Sequence, residues 1–290
     1  MTEHTTAARV AAADYRDITL ECSDPVAIIT MNRPAALNAF TTRMLAEIKH
    51  AIAVAEADPQ VVGIVLTGAG RGFCAGMDMN ALADLSQGDS LAEDLSPFDA
   101  APGDPVAGEP FLEAFGYLLA VRKPVLAAIN GACAGLGFVF ALLCDLRFVA
   151  PDAKFTTAFA QRGLIAEHGS SWLLPRLIGS GHALDLLWTG RKFDGREAHE
   201  LRLAEKLCEH ESPLDAAVDY IRQLAATASP TSIRVMKAQV YRHLNQAFKD
   251  ALGESNEWMA ESLKRADFKE GVQSFMERRP PAFTRVSGRE

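Results

Sequence analysis

Residues 61–67 (Val-Val-Gly-Ile-Val-Leu-Thr) form an apolar, largely β-branched run that stops at the glycine-rich turn Gly68-Ala-Gly-Arg-Gly72. A run with no polar alternation suits a strand buried on both faces, the condition of a central parallel strand. Parallel strands need crossover connections, and those connections place helices on the sheet. The pattern recurs: residues 124–130 are a second apolar run, followed by the small-residue turn Gly131-Ala-Cys-Ala-Gly-Leu-Gly137. Residues 138–144 then read as an apolar helix and 146–150 as a third strand. Upstream, two short apolar runs at 19–22 and 26–31 are split by Ser23-Asp24-Pro25 and read as a hairpin, which Asn32-Arg33-Pro34 ends. Met44, Leu45, Ile48, Ala51 and Ile52 carry helical spacing over 41–57, with Thr41 as the cap. Strand, helix, strand and glycine turn make an α/β core.

The texture changes in the second half. Residues 181–190, 195–201, 213–228, 231–241 and 248–265 all carry helical spacing, and only 204–209 reads as a strand. The apolar residues are numerous for so thin a helical layer, so contacts between subunits are expected. Residues 86–109, rich in Asp, Ser, Gly and Pro, read as a mobile loop suited to a substrate lid. The division that follows is a tail over 1–15, an α/β core over 16–202 and a helical region over 203–290.

Composition excludes several classes. The 290 residues carry a net charge of -8, with no basic stripe to hold nucleic acid. The five cysteines are odd in number and form no CxxC pair, which suits a reduced, cytoplasmic setting. No His/Cys cluster has metal-ligand spacing, so no metal is expected. The Ala/Thr-rich start lacks a basic segment followed by an apolar core, and no apolar stretch reaches bilayer length. No membrane partner is expected.

The segment Gly72-Phe-Cys-Ala-Gly-Met-Asp78 follows the first buried strand as Gly131–Gly137 follows the second. Two strand-to-helix turns free of large side chains can aim main-chain N–H groups at one spot, which is how an oxyanion is stabilised. Together with Met31-Asn-Arg-Pro-Ala-Ala-Leu-Asn38, Lys123-Pro-Val-Leu-Ala-Ala-Ile-Asn-Gly131 and Cys144-Asp145, these segments resemble the enoyl-CoA hydratase/isomerase (crotonase) superfamily over roughly residues 17–283. The resemblance implies a spiral of ββα units followed by a helical trimerisation region, and a homotrimer or a dimer of trimers. It places the two oxyanion donors on the N–H groups of Ala75 and Leu136. It implies an acyl-CoA substrate, with coenzyme A arriving as part of that substrate and no permanently bound cofactor. The coenzyme A contacts fall on Arg33, Ala36, Leu37, Ala75, Gly76, Met77 and Asp78, with Phe275 and Arg278 covering the nucleotide.

One departure bears on the chemistry. Hydratases of this family resemble one another in having two glutamates, and here those places hold Val139 and Phe159. Neither side chain can exchange a proton. The carboxylate of this region is Glu167, in Arg162-Gly-Leu-Ile-Ala-Glu-His-Gly-Ser-Ser-Trp172, where dienoyl-CoA isomerase-like members resemble one another in carrying an acid/base aspartate. Apolar walls from Val139, Phe159 and Trp172 would disfavour its charged form and suit it to acid/base work. A helix-capping role is the structural alternative. His168 is the neighbouring group that could orient Glu167 or shuttle a proton. Three activities stay open: an enzyme that forms an enolate and moves a proton through Glu167, a silent acyl-CoA-binding protein, and an acyl-CoA hydrolase. Phe138, Phe140, Phe159 and Trp172 suit either an apolar acyl pocket or a core.

Overall fold

A computed structural model describes residues 14–79, 81, 93–107, 111 and 115–285. The expected tail at 1–13, the lid positions 86–92 and 108–109, and the end of the chain from 286 lie outside the described residues. The hairpin forms as β1 (Ile18–Ser23) and β2 (Val26–Met31), antiparallel and in register from Ile18 opposite Met31. Helix α1 (Thr42–Ala57) starts where Thr41 accepts the Met44 N–H at 2.9 Å. Strand β3 (Gly63–Gly68) is buried at every position, as an apolar run without alternation requires.

The spiral lies in how the next strands divide between two sheets. β3, β5 (Val125–Ile129) and β7 (Leu146–Val149) are parallel neighbours in a six-stranded sheet of order β1-β2-β3-β5-β7-β10, where β10 is Lys206–Leu207. Each is followed at once by a short strand of a second sheet: β4 (Gly72–Cys74), β6 (Ala132–Ala134) and β8 (Lys154–Thr156), with β9 (Phe193–Asp194) closing its edge. The chain turns a corner between sheets three times. At Gly131 a Cβ would lie 2.1 Å from the Arg71 carbonyl oxygen, so this corner admits only glycine. The sequence reads these short strands as loops, because three residues are too few to show a period. Strand 204–209 likewise shrinks to Lys206–Leu207.

After β6 comes α3 (Leu136–Leu142), preceded in the chain by the short α2 (Tyr117–Ala120). The turn of α3 begins two residues earlier than the apolar spacing suggests. Phe138 and Phe140 are buried in the core with Phe40 and Phe155, so they do not line an acyl pocket. Further on come α4 (Ser170–Ile178), α5 (Ser180–Thr189), α6 (Gly195–Glu200), α7 (Pro213–Thr227), α8 (Pro230–His243), α9 (Phe248–Ser262) and α10 (Ala266–Glu277). Helix α7 covers the other face of the large sheet, setting Ala217, Val218 and Ile221 on Val65, Leu126 and Phe148.

Asp145 ties α8 to the sheet. Its carboxylate accepts the Val125 N–H at 2.7 Å, Lys237 Nζ at 2.7 Å and the Tyr241 hydroxyl at 2.8 Å. Lys237 also donates to the carbonyls of Leu118 and Lys123. A largely enclosed ion pair whose remaining donors find partners holds position well, and loss of either member leaves a charge half-buried. The Cys144-Asp145 signature is thus a structural staple. Beyond it the helices carry exposed apolar side chains, among them Met236, Val240, Phe248, Met259 and Phe275. The described part of the expected lid, 93–107, packs on α1 through buried Phe98, which stacks on Tyr15.

Candidate active site

Asn38 sets up the first wall of the site. Its side chain is fully buried, donates to the carbonyls of Ala69 and Gly72, and accepts the Arg33 N–H at 2.9 Å. It thereby holds the glycine turn between β3 and β4. Asn130 donates to the carbonyls of Gly68 and Gly70 from the other side. The segment after β4 then runs parallel to residue 40: Phe40 N–H donates to the Gly76 carbonyl at 2.7 Å, and Asp78 N–H donates to the Phe40 carbonyl at 2.9 Å.

This pairing decides which amide is available. Ala75 N–H donates to the Leu37 carbonyl at 3.0 Å, so it is already spent. Asp78 N–H is spent on Phe40. In extended chain, neighbouring N–H groups point to opposite sides, so Met77 N–H points away from Phe40. It makes no main-chain hydrogen bond among the described residues. The amide that this pairing leaves open is therefore that of Met77, while the expected donor at Ala75 is engaged.

The second wall is the start of α3. Leu136 is its first residue, behind Gly135 at φ 51°, and its N–H is one of the first-turn amides a helix leaves unbonded. The two walls touch: a Cβ on Gly76 would lie 3.0 Å from the Ala134 carbonyl oxygen and 3.5 Å from Leu136 N. Gly137 seals the contact, since a Cβ there would lie 2.3 Å from the Cys74 carbonyl oxygen. Under the loop the Cys74 thiol is buried and its pKa is pushed up to about 12, so no thiolate nucleophile is presented.

A cleft of about 710 Å³ opens between these walls and residues 156–168. Ala36, Ala75, Gly76, Met77, Asp78, Leu136, Glu167 and His168 all line it. The structure thus brings the sequence-derived acid and both main-chain turns to one cavity. Arg33 and Leu37 do not line it. The Arg33 guanidinium is committed to Asp78 at 2.9 Å and to the Ala39 carbonyl at 2.6 Å, while the Leu37 carbonyl holds Ala75. Phe275, 85% exposed near the end of α10, and Arg278 beyond it also lie outside the cleft lining.

Glu167 is half-buried, and its carboxylate makes no hydrogen bond among the described residues. It does not cap α4: the cap position is Gly169, and the Glu167 main-chain carbonyl accepts the Ser170 N–H at 2.9 Å. The expected enclosure is only partly realised. Phe159 lines the cleft, but Val139 is buried in the core, and Trp172 lies under the Arg176 guanidinium at 4.2 Å. Phe115 and Leu164 supply the apolar wall instead. His168 sits at φ 47°, edge-on to Phe115 with ring centres 4.8 Å apart, so adjacent residues both reach the cavity. The Thr156 and Thr157 hydroxyls in the lining are spent on the carbonyls of Gly190 and Leu186. Sequence reasoning missed the open amide of Met77, together with Phe115 and Arg162 in the lining. Only Arg162 carried a signal, as a cation five residues from Glu167.

Comparison with known proteins identifies the family. Residues 21–286 match the family model described as enoyl-CoA hydratase/isomerase. The chain is 33% identical over 260 residues to the 1,2-epoxyphenylacetyl-CoA isomerase of Escherichia coli, covering 89% of this chain and 95% of that protein. It is 32% identical over 273 residues to a probable enoyl-CoA hydratase of Mycobacterium bovis, covering 93% and 98%. The crystal structure of an enoyl-CoA hydratase from Mycobacterium tuberculosis superposes with a TM-score of 0.78 at 29% identity, covering 92% of this chain and 98% of that one. The fold thus has its counterpart in a solved hydratase, and the chain belongs to the enoyl-CoA hydratase/isomerase family.

Proposed function

We propose that this enzyme moves a proton on an acyl-CoA ester whose thioester oxygen is held by the N–H groups of Met77 and Leu136. The observation that carries the reading is the Glu167 carboxylate, unengaged and lining the same cleft as those two amides. Main-chain donors fixed before reaction stabilise the charge that grows on the oxygen when the α carbon or its vinylogue is deprotonated. Leu136 supports this as well as glycine would, because the donor is main chain.

Glu167 is the base that takes the proton and the acid that returns it. In isomerisation it removes a proton from one carbon, the enolate spreads through the conjugated system, and the same proton returns to another carbon. Nothing is consumed, and one carboxylate suffices. Hydration asks more: the group must deprotonate water while a proton reaches the α carbon. Val139 is buried and Phe159 is apolar, so neither offers that second proton. The lining therefore favours isomerisation, with His168 as the group that could assist water addition. The Escherichia coli relative is named an isomerase and the Mycobacterium bovis relative a probable enoyl-CoA hydratase, so both reactions belong in the assay panel.

On this reading coenzyme A comes with the substrate, its pantetheine running past Ala36, Gly76, Met77 and Asp78. The proton chemistry itself needs no resident cofactor. The exposed apolar residues of α8 to α10 are the surface for a homotrimer or a dimer of trimers. Among the described residues, no helix is long and apolar enough to cross a membrane. The test is turnover of a panel of enoyl- and dienoyl-CoA esters by the wild-type protein and Glu167→Gln, with affinity measured in parallel. Turnover lost with affinity retained supports the proposal. Tight binding without turnover by either protein supports a carrier, and release of free coenzyme A supports a hydrolase.

A further inference from the structure

Arg162 belongs to the cleft wall but has no part in the proton chemistry. Arg162 is an exposed residue that lines the cavity together with Phe159, Leu164 and Glu167. One nitrogen, Nη1, donates to the Ala158 carbonyl at 2.9 Å, which holds the side chain along the wall. No carboxylate among the described residues pairs with it. The other charged groups of the cleft are accounted for: Asp78 is paired with Arg33, and Glu167 is the proposed proton carrier.

A substrate that fills the cleft displaces water from the side of this exposed guanidinium that faces it. A purely hydrocarbon chain gives nothing back for the lost hydration. A carboxylate does, through the two-pronged geometry in which a guanidinium meets a pair of oxygens. The position of Arg162 fixes which end of the substrate is read. It stands five residues before Glu167 and lines the same cleft, and on the proposed reading that wall faces the reacting carbons. The residues assigned to pantetheine, Ala36 and Gly76 to Asp78, lie on the opposite loops.

We propose that Arg162 is a specificity residue that selects acyl-CoA esters whose acyl chain ends in a carboxylate. This rests on the assignment of the cleft to acyl-CoA esters and deepens it. The experiment compares two α,β-unsaturated acyl-CoA esters of equal chain length, one ending in a methyl group and one in a carboxylate. Affinity is measured by titration calorimetry, and kcat/KM is measured where turnover occurs. The proteins are wild type, Arg162→Met and Arg162→Lys. The expected result is that wild type binds the carboxylate ester about 10- to 100-fold more tightly than Arg162→Met does, the range of one charge-assisted contact. The methyl ester should bind equally to both proteins, and Arg162→Lys should recover part of the difference. A third arm uses the same two acyl groups on pantetheine, which lacks the nucleotide phosphates, and the carboxylate effect should persist there.

Three results overturn the proposal: an affinity for the carboxylate ester that Arg162→Met leaves unchanged from wild type, an equal loss on both esters, or a loss confined to the phosphate-bearing esters. The last would make Arg162 a phosphate contact. Binding of both esters without turnover of either would sink the proton-transfer reading while leaving this inference to be judged on affinity alone.

Discussion

Gly137→Ala tests whether the two turns must touch for the site to work. The new Cβ would lie 2.3 Å from the Cys74 carbonyl oxygen and 2.8 Å from the Cys74 Cβ. A carbon and a carbonyl oxygen rest at about 3.3–3.6 Å, so roughly 1 Å of separation must open between α3 and the strand that carries Met77. The oxygen is main chain and cannot swing aside. Overpacking of this kind costs about 1–3 kcal/mol of stability. A shift of about 1 Å in a positioned donor costs on the order of 100-fold in rate, equivalent to about 2.7 kcal/mol of barrier at 1.36 kcal/mol per decade. The assay is kcat/KM on whichever thioester the wild type turns over best, beside a thermal melt and a sedimentation profile. The control is Gly181→Ala in α5, where a Cβ meets nothing within 4 Å and activity should not change. A folded Gly137→Ala protein with wild-type kcat/KM would refute the argument that the contact between turns sets the donor geometry.

Other predictions follow from the same structure. Leu136→Ala keeps the main-chain N–H, so kcat should stay within about threefold of wild type, well short of the roughly 100-fold loss that removal of a donor brings; a larger fall would mean the side chain matters to the chemistry. Lys237→Met leaves the half-buried Asp145 with only the Val125 N–H and the Tyr241 hydroxyl and should cost about 1–3 kcal/mol in urea unfolding; no measurable change would place the pair among weak surface contacts. Burial pushes the Cys74 and Cys144 thiols up to about 12 and Cys133 well above its usual range. Unfolded thiols ionise near 8.5, so this stability is complete below that pH and is lost as pH climbs toward the folded values. Lys123, driven down to about 8 by burial, works the other way and gains stability between about 8 and its unfolded value near 10.4. Three thiols outweigh one lysine, so the urea midpoint should fall between pH 8.5 and about 10; a level or rising midpoint would contradict the burial of the thiols.

The long elements were legible because burial on both faces writes itself into composition: the hairpin, α1, β3, β5 and β7 stand where apolar runs place them. The second sheet was not, because β4, β6 and β8 have three residues each and their small side chains resemble turns. The site divides along a similar line. Leu136 and Glu167 both line the cleft, and each was visible as a local feature, a helix start and a lone carboxylate. Met77 in place of Ala75 was not, because which amide is free depends on pairing with Leu37 and Phe40, some forty residues away. Arg33 was read as a coenzyme A contact, yet it is held by Asp78 across a similar gap. The walls of Glu167 differ for the same reason: Phe115 comes from a segment with no sequence signal, while Val139 turns into the core.

The central claim is that Glu167 carries the proton while main-chain amides carry the charge. Exchange of substrate hydrogens in deuterated water, followed by mass spectrometry on a bound enoyl-CoA, tests it most directly, because exchange reports enolate formation whatever product forms. The wild type should exchange, and Glu167→Gln should exchange on the order of 100- to 10,000-fold more slowly with its affinity for the ester unchanged. Exchange by Glu167→Gln at the wild-type rate would show that another group moves the proton.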